Sequence, residues 1–205
     1  MKSLLLLLAL VFAVLAQPKT PVWPVRFQQD FVESYSSTQY HDVGKLWFDS
    51  ERAMERLDRN NGKYNPFCNS ITNATTPCTQ LTRDGKRYIY FPLIRLCCFC
   101  CDAAHGCGIM KRDWLSAAGA KYVGKDELSG QIFDKWTETD SMTDYWATTD
   151  AKQIPRKHAE GNAFFKDFIM NTYSEEYIAE SVFALPNYCT GAVCPETSRC
   201  AKFRN

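Results

Sequence analysis

The chain carries almost no net charge: Lys and Arg number 24, Asp and Glu 23, giving +1. A nucleic-acid binder shows a basic excess, and recruitment to an anionic membrane surface needs a polybasic run; neither is present. Histidine is scarce, at 3 residues. The sequence has no G-x-S-x-G, no P-loop and no H-E-x-x-H, so the case for catalysis is thin. It also lacks any later apolar stretch long enough to cross a bilayer. There are no internal repeats and no low-complexity region, and no domain boundary follows the leader.

What is present begins at the first residues. Lys2 precedes an unbroken apolar run from Leu4 to Leu15, and Val14 and Ala16 occupy the −3 and −1 positions of a small-residue cleavage site. This order is that of a secretory signal peptide, expected over residues 1–16. The run of about 12 residues is too short for the ~20 of a spanning helix. The mature chain, residues 17–205, is expected in the secretory lumen, at the cell surface or outside the cell. Residues 17–24 hold Pro18, Pro21 and Pro24 and read as an extended leader. Residues 25–205 read as a single domain, long enough to bury its own core.

Ten cysteines follow: Cys68, Cys78, Cys97, Cys98, Cys100, Cys101, Cys107, Cys189, Cys194 and Cys200. An even count in an oxidising compartment predicts up to five disulfides, and ten half-cystines allow about 945 connectivities. Adjacent cysteines bridge one another poorly, so Cys97 and Cys98, like Cys100 and Cys101, should reach different partners. The dense centre, residues 97–107, reads as a stapled loop, and residues 187–205 as a cysteine-rich tail. Two rival readings of the centre are a thiolate and imidazole zinc site that includes His105, and a thioredoxin-like redox pair. A Cys–His nucleophile drawing on His41, His105 or His158 has no flanking signature to support it. Glu175-Glu176 and Asp126-Glu127 read as solvated loop charges. No cofactor and no metal are expected.

Turn signals about every ten residues predict an antiparallel meander. From Val25 the odd positions Val25, Phe27, Phe31 and Tyr35 are apolar or aromatic and the even ones polar, a strand with one buried face. Asn60-Asn61-Gly62 predicts a hairpin, as does Asp84-Gly85 before a strand over Lys86 to Phe91. Lys111 to Gly119 suits one or two helical turns. Phe164 to Tyr173 suits a longer strand, and 174–179 a brief helical or turn segment. Asn73-Ala74-Thr75 is a glycosylation sequon between Cys68 and Cys78, which would put Asn73 at the surface. Aromatic residues make up 14% of the chain, enough for a large core or the wall of an apolar pocket. Trp114, Phe133, Trp136, Tyr145 and Trp146 are the candidate pocket rings.

Several local patterns occur in a suggestive order. Ile89-Tyr-Phe-Pro92 runs into Cys97–Cys101; Asp113-Trp114-Leu115, Tyr122-x-Gly124, Gly130 to Trp136, Tyr145-Trp146, Ile154-Pro155 and Val182-Phe-x-Leu-Pro-x-Tyr-Cys189 follow. Over roughly residues 25–190 the chain resembles ependymin-related secreted proteins. The resemblance implies the half-barrel of the lipoprotein carriers LolA and LolB: a strongly curved antiparallel sheet with a hydrophobic cavity partly covered by helices. It also implies binding of lipids or other apolar ligands without catalysis. Some members bind calcium, but no compact acidic set with calcium-loop spacing occurs here. The alternatives are an extracellular structural or surface-interaction protein with a solid core, and a thiol-dependent hydrolase.

Overall fold

The structure, a computed structural model, describes residues 17–36 and 40–204; the signal peptide expected over 1–16 lies outside the described residues. Eleven strands form one antiparallel sheet. They are β1 (Arg26–Tyr35), β2 (Tyr40–Asp49), β3 (Met54–Arg59), β4 (Cys78–Arg83), β5 (Lys86–Phe91), β6 (Leu96–Asp102), β7 (Lys121–Leu128), β8 (Gln131–Glu138), β9 (Thr143–Thr148), β10 (Pro155–Glu160) and β11 (Phe164–Phe168). Three short helices accompany them: α1 (Pro66–Asn69), α2 (Trp114–Ala117) and α3 (Ala201–Arg204). The strongly curved, half-open sheet expected from the sequence is the architecture observed.

The strand order is β6-β5-β4-β3-β2-β1-β11-β10-β9-β8-β7. Two meanders are therefore joined where the first strand pairs with the last, with Phe31 opposite Phe168 and Glu33 opposite Lys166. The sheet does not close, because β6 and β7 are its two edges. The segment between them, residues 103–120, leaves one edge and enters the other, so it crosses the concave face. The leader is fastened to that crossing: the Trp23 amide donates to the Arg112 carbonyl at 2.9 Å, and Arg112 Nε donates back to the Trp23 carbonyl at 2.6 Å.

Alternation explains β1. Phe27, Gln29, Phe31 and Glu33 are all buried, while the residues between them are half-buried. Pleating sends alternate side chains to opposite faces, so this strand puts two polar groups on its inward face. Asp84 and Gly85 both have positive φ, 51° and 68°, and turn β4 into β5 as expected. Asn60-Asn61-Gly62 makes no hairpin. Asn61 caps a 3-10 turn at Gly62–Tyr64, and the chain continues through α1 before β4. A Cβ at Gly62 would lie 2.5 Å from Cys78 Cβ and 2.8 Å from Cys68 Cβ. The glycine is there for close approach to a disulfide, not for a turn.

Five disulfides pair Cys68 with Cys78, Cys97 with Cys189, Cys98 with Cys194, Cys100 with Cys200, and Cys101 with Cys107. The neighbouring cysteines do go to different partners. Cys97 to Cys101 lie in edge strand β6 and not in a loop; only Cys107 occupies the loop expected for the whole cluster. Three bridges thus staple the tail to β6. The tail also hydrogen-bonds to it: the Phe99 amide donates to the Ala192 carbonyl at 2.7 Å, and the Cys194 amide to the Phe99 carbonyl at 2.9 Å. β11 ends at Phe168, five residues before the expected strand end at Tyr173. The turns that follow are 3-10, at Met170–Thr172 and Glu180–Phe183, on either side of the segment expected to be a brief helix or turn.

Candidate ligand cavity

The concave face encloses a cavity of about 740 Å³, within the roughly 300–1,000 Å³ of small-molecule sites. Its apolar wall includes Leu46 on β2, Leu57 on β3, Phe164 and Phe168 on β11, and Ile109 and Trp114 from the crossing segment. The crossing segment, running from one sheet edge to the other, is what roofs the concavity.

The interior is not uniformly apolar. Glu33, 1% exposed, is gripped by Arg59, whose Nε donates to Oε2 at 2.7 Å and whose Nη2 donates to Oε1 at 2.9 Å. Lys166 Nζ stands 3.3 Å from Oε1. Burial alone would raise the Glu33 carboxyl, but the two cations outweigh it and hold it at about 2. Asn65 serves two structures at once. Its Oδ1 caps α1 by accepting from the Phe67 and Cys68 amides, while its Nδ2 donates to Glu33 Oε2 at 3.4 Å and to the Tyr35 hydroxyl at 3.1 Å.

A second polar group sits at the β3–β5 side. Glu55 is buried, and burial raises its carboxyl despite the nearby Arg87. Arg87 Nη2 donates to the Gly108 carbonyl at 2.9 Å, holding the crossing segment against the sheet. His158 packs between the rings of Trp114 and Phe164, with centroids 5.5 and 6.1 Å away. Burial, with Lys166 nearby, lowers it to about 4, so it is neutral at physiological pH.

Of the rings singled out from the sequence, Trp114 lines this cavity, while Phe133, Trp136, Tyr145 and Trp146 do not. Trp136 and Tyr145 pair across β8 and β9, and helix α2 packs on them through Leu115. The helix fills that half of the concavity, so those rings become core. Phe133 and Trp146 point to the other face of the same strands, where they pack with Ala159. Trp146 Nε1 donates to Asp126 at 2.9 Å there. The polar residues inside the cavity (Glu33, Glu55, Arg59, Arg87 and Lys166) escaped the sequence reading. The available signal was Gln29 and Glu33 on the odd, apolar face of β1.

Cys100, Cys101 and Cys107 are the one metal-ligand grouping among the described residues, and all three are spent in disulfides. No free cysteine occurs among the described residues. His41 Nδ1 lies 3.1 Å from Ser34 Oγ and His105 Nδ1 2.7 Å from Asp102 Oδ1, both at exposed positions outside the cavity. Asn73 is exposed, as its sequon requires for modification.

No protein-family model and no curated protein matches the chain. Solved structures do align with it. An uncharacterized conserved protein from Thermus thermophilus is 8% identical, with a TM-score of 0.53 over 82% of this chain and 89% of that one. MucB in complex with MucA(peri) is 17% identical, with a TM-score of 0.37 over 82% of this chain and 54% of that one. A DUF1329 family protein from Desulfovibrio piger is 9% identical, with a TM-score of 0.33 over 78% and 89%. At these identities the likeness is one of fold, and it rests on the Thermus protein: this chain adopts an open, curved antiparallel half-barrel.

Proposed function

We propose that this protein is a secreted, ependymin-type binding protein that holds a lipid-like molecule in its half-barrel and performs no covalent chemistry on it. The observation that carries the reading is the roofed cavity of about 740 Å³ with Leu46, Leu57, Ile109, Trp114 and Phe168 in its wall. Burying an acyl chain there yields about 0.8 kcal/mol per methylene. Ten disulfide-bonded cysteines, an N-terminal segment of signal-peptide character and an exposed sequon at Asn73 fit a glycosylated extracellular carrier. A structural protein with a solid core is the weaker reading, because the concave face is not filled.

Native mass spectrometry of protein purified from its source, with organic extraction of the same sample, tests this. A stoichiometric apolar ligand is expected. A protein that carries nothing above background, and takes up no amphiphile when offered one, would sink the proposal.

A further inference from the structure

One buried donor on a residue of the cavity wall has no partner. Arg59 is 5% exposed and lines the cavity, and its Nη1 has no hydrogen-bond partner. Glu33 does not supply one: both its oxygens are already engaged by Nε and Nη2 of the same guanidinium and by Lys166. A buried, unpaired donor on a cation is costly to leave unmet. The interior charge is also unbalanced. Among the residues that line the cavity, Arg59, Arg87 and Lys166 stand with Glu33 and Glu55, while Glu160 and Arg199 are exposed at its rim and buried Asp42, a further acid acting on Arg59, lies outside the lining. Burial raises the Glu55 carboxyl, opposed by Arg87, Lys166 and Arg59.

We infer that the ligand is an anionic amphiphile whose oxyanion head is received by Arg59 Nη1 beside Lys166, with its chain along the Leu46, Leu57, Phe168 and Trp114 wall. This rests on the cavity being the ligand site. It adds a head-group class that an apolar wall alone does not specify. A charged N–H donor bonds a carboxylate or a phosphate oxygen alike, so the shared chemistry is an oxyanion on an acyl or alkyl chain.

The test compares three ligands of equal chain length below their micelle concentrations: palmitate, hexadecyl phosphate and hexadecanol. Binding to the intact, oxidised protein is followed by fluorescence of Trp23 and Trp114, which both line the cavity. One or both anions should bind at least about tenfold tighter than the alcohol. Whichever anion is preferred identifies the source, a free carboxylate or a phosphate ester. The triple variant E33Q/R59Q/K166M, which removes the acid and both cations that face it, should abolish the preference while still binding hexadecanol. If that variant does not fold, Arg59→Lys keeps the charge beside Glu33, removes Nη1 and should reduce the preference. Hexadecanol binding as tightly as the anions overturns the head-group inference and leaves the lipid reading standing. Failure of all three ligands to bind overturns both.

Discussion

Glu33 on β1 and Arg59 on β3 form a two-pronged ion pair across an intervening strand, at 2.7 and 2.9 Å. The β2 residue paired with both Arg59 and Phe31 is Gly44. The Phe31 ring and the Asp58 carbonyl lie close over that glycine, where a side chain would have no room.

The first prediction concerns that pair. Glu33→Gln strands a buried guanidinium and should cost about 3–5 kcal/mol in urea unfolding, whereas adding Arg59→Gln should restore most of the loss. Equal, additive losses in the double-mutant cycle would show that the two residues do not act as a unit.

Gly44 itself supports a second prediction. A Cβ at this position would collide with the Phe31 ring and the Asp58 carbonyl, one of them backbone that cannot swing aside. Gly44→Ala should lower stability by about 1–3 kcal/mol, the usual cost of overpacking. A loss below about 0.5 kcal/mol, the scatter of ordinary surface changes, would mean the strand shifts freely.

Stability should fall in acid in two stages. His158 is lowered from 6.5 to about 4, so its contribution is complete above pH 6.5 and is lost as pH falls through 4. Glu33, lowered from 4.5 to about 2, contributes fully above pH 4.5 and loses that contribution toward pH 2. The His158 stage is on the order of 3 kcal/mol. Asp42 works in the opposite sense. Burial raises it from 3.8 to about 6, so its contribution is present below 3.8 and lost as pH rises through 6. Denaturant midpoints measured from pH 3 to 8 should show His158→Gln flattening the slope between 6.5 and 4. Asp42→Asn should raise the midpoint at pH 8 and not at pH 4.

The three tail bridges should be unequal to the sum of their loops. A single cross-link closing about 100 residues confines the unfolded chain by about 4.7 kcal/mol. With Cys98–Cys194 in place, however, Cys100–Cys200 adds only a small further loop, worth about 2–3 kcal/mol. Replacing Cys100 and Cys200 by serine should therefore cost the smaller amount in thermal or urea unfolding. A loss near the larger figure would mean the bridges act independently.

Much of the fold was legible. Alternation in Phe27, Phe31 and Tyr35 gave β1, Asp84-Gly85 gave the β4–β5 turn, and evenly spaced turns gave a meander. The pairing of β1 with β11 was not, because contacts between strands more than a hundred residues apart leave no local mark. CCFCC hid a strand because cysteine clusters suggest loops, whereas here each half-cystine sits on a pleated edge with its partner in the tail or the adjoining loop. In the cavity, aromatic size misled: Trp136 and Tyr145 are large enough to be a wall, but Leu115 on α2 fills the space in front of them. The polar interior was written in β1 as Gln29 and Glu33, two interruptions of an apolar face that burial alone would not have selected.

A half-open sheet has two free margins, and a bare margin is a template for a second copy of the same chain. Here one is covered and the other is made a poor template. The C-terminal segment occupies the Phe99 amide and carbonyl along β6, and three covalent links keep it there. β7 is broken by a bulge at Tyr122/Gly124 and carries Lys121, Lys125 and Glu127 outward. The tail bridges therefore guard against self-association as well as unfolding. Reduction should free β6 alone, so that two copies pair edge to edge and a dimer appears in size-exclusion chromatography.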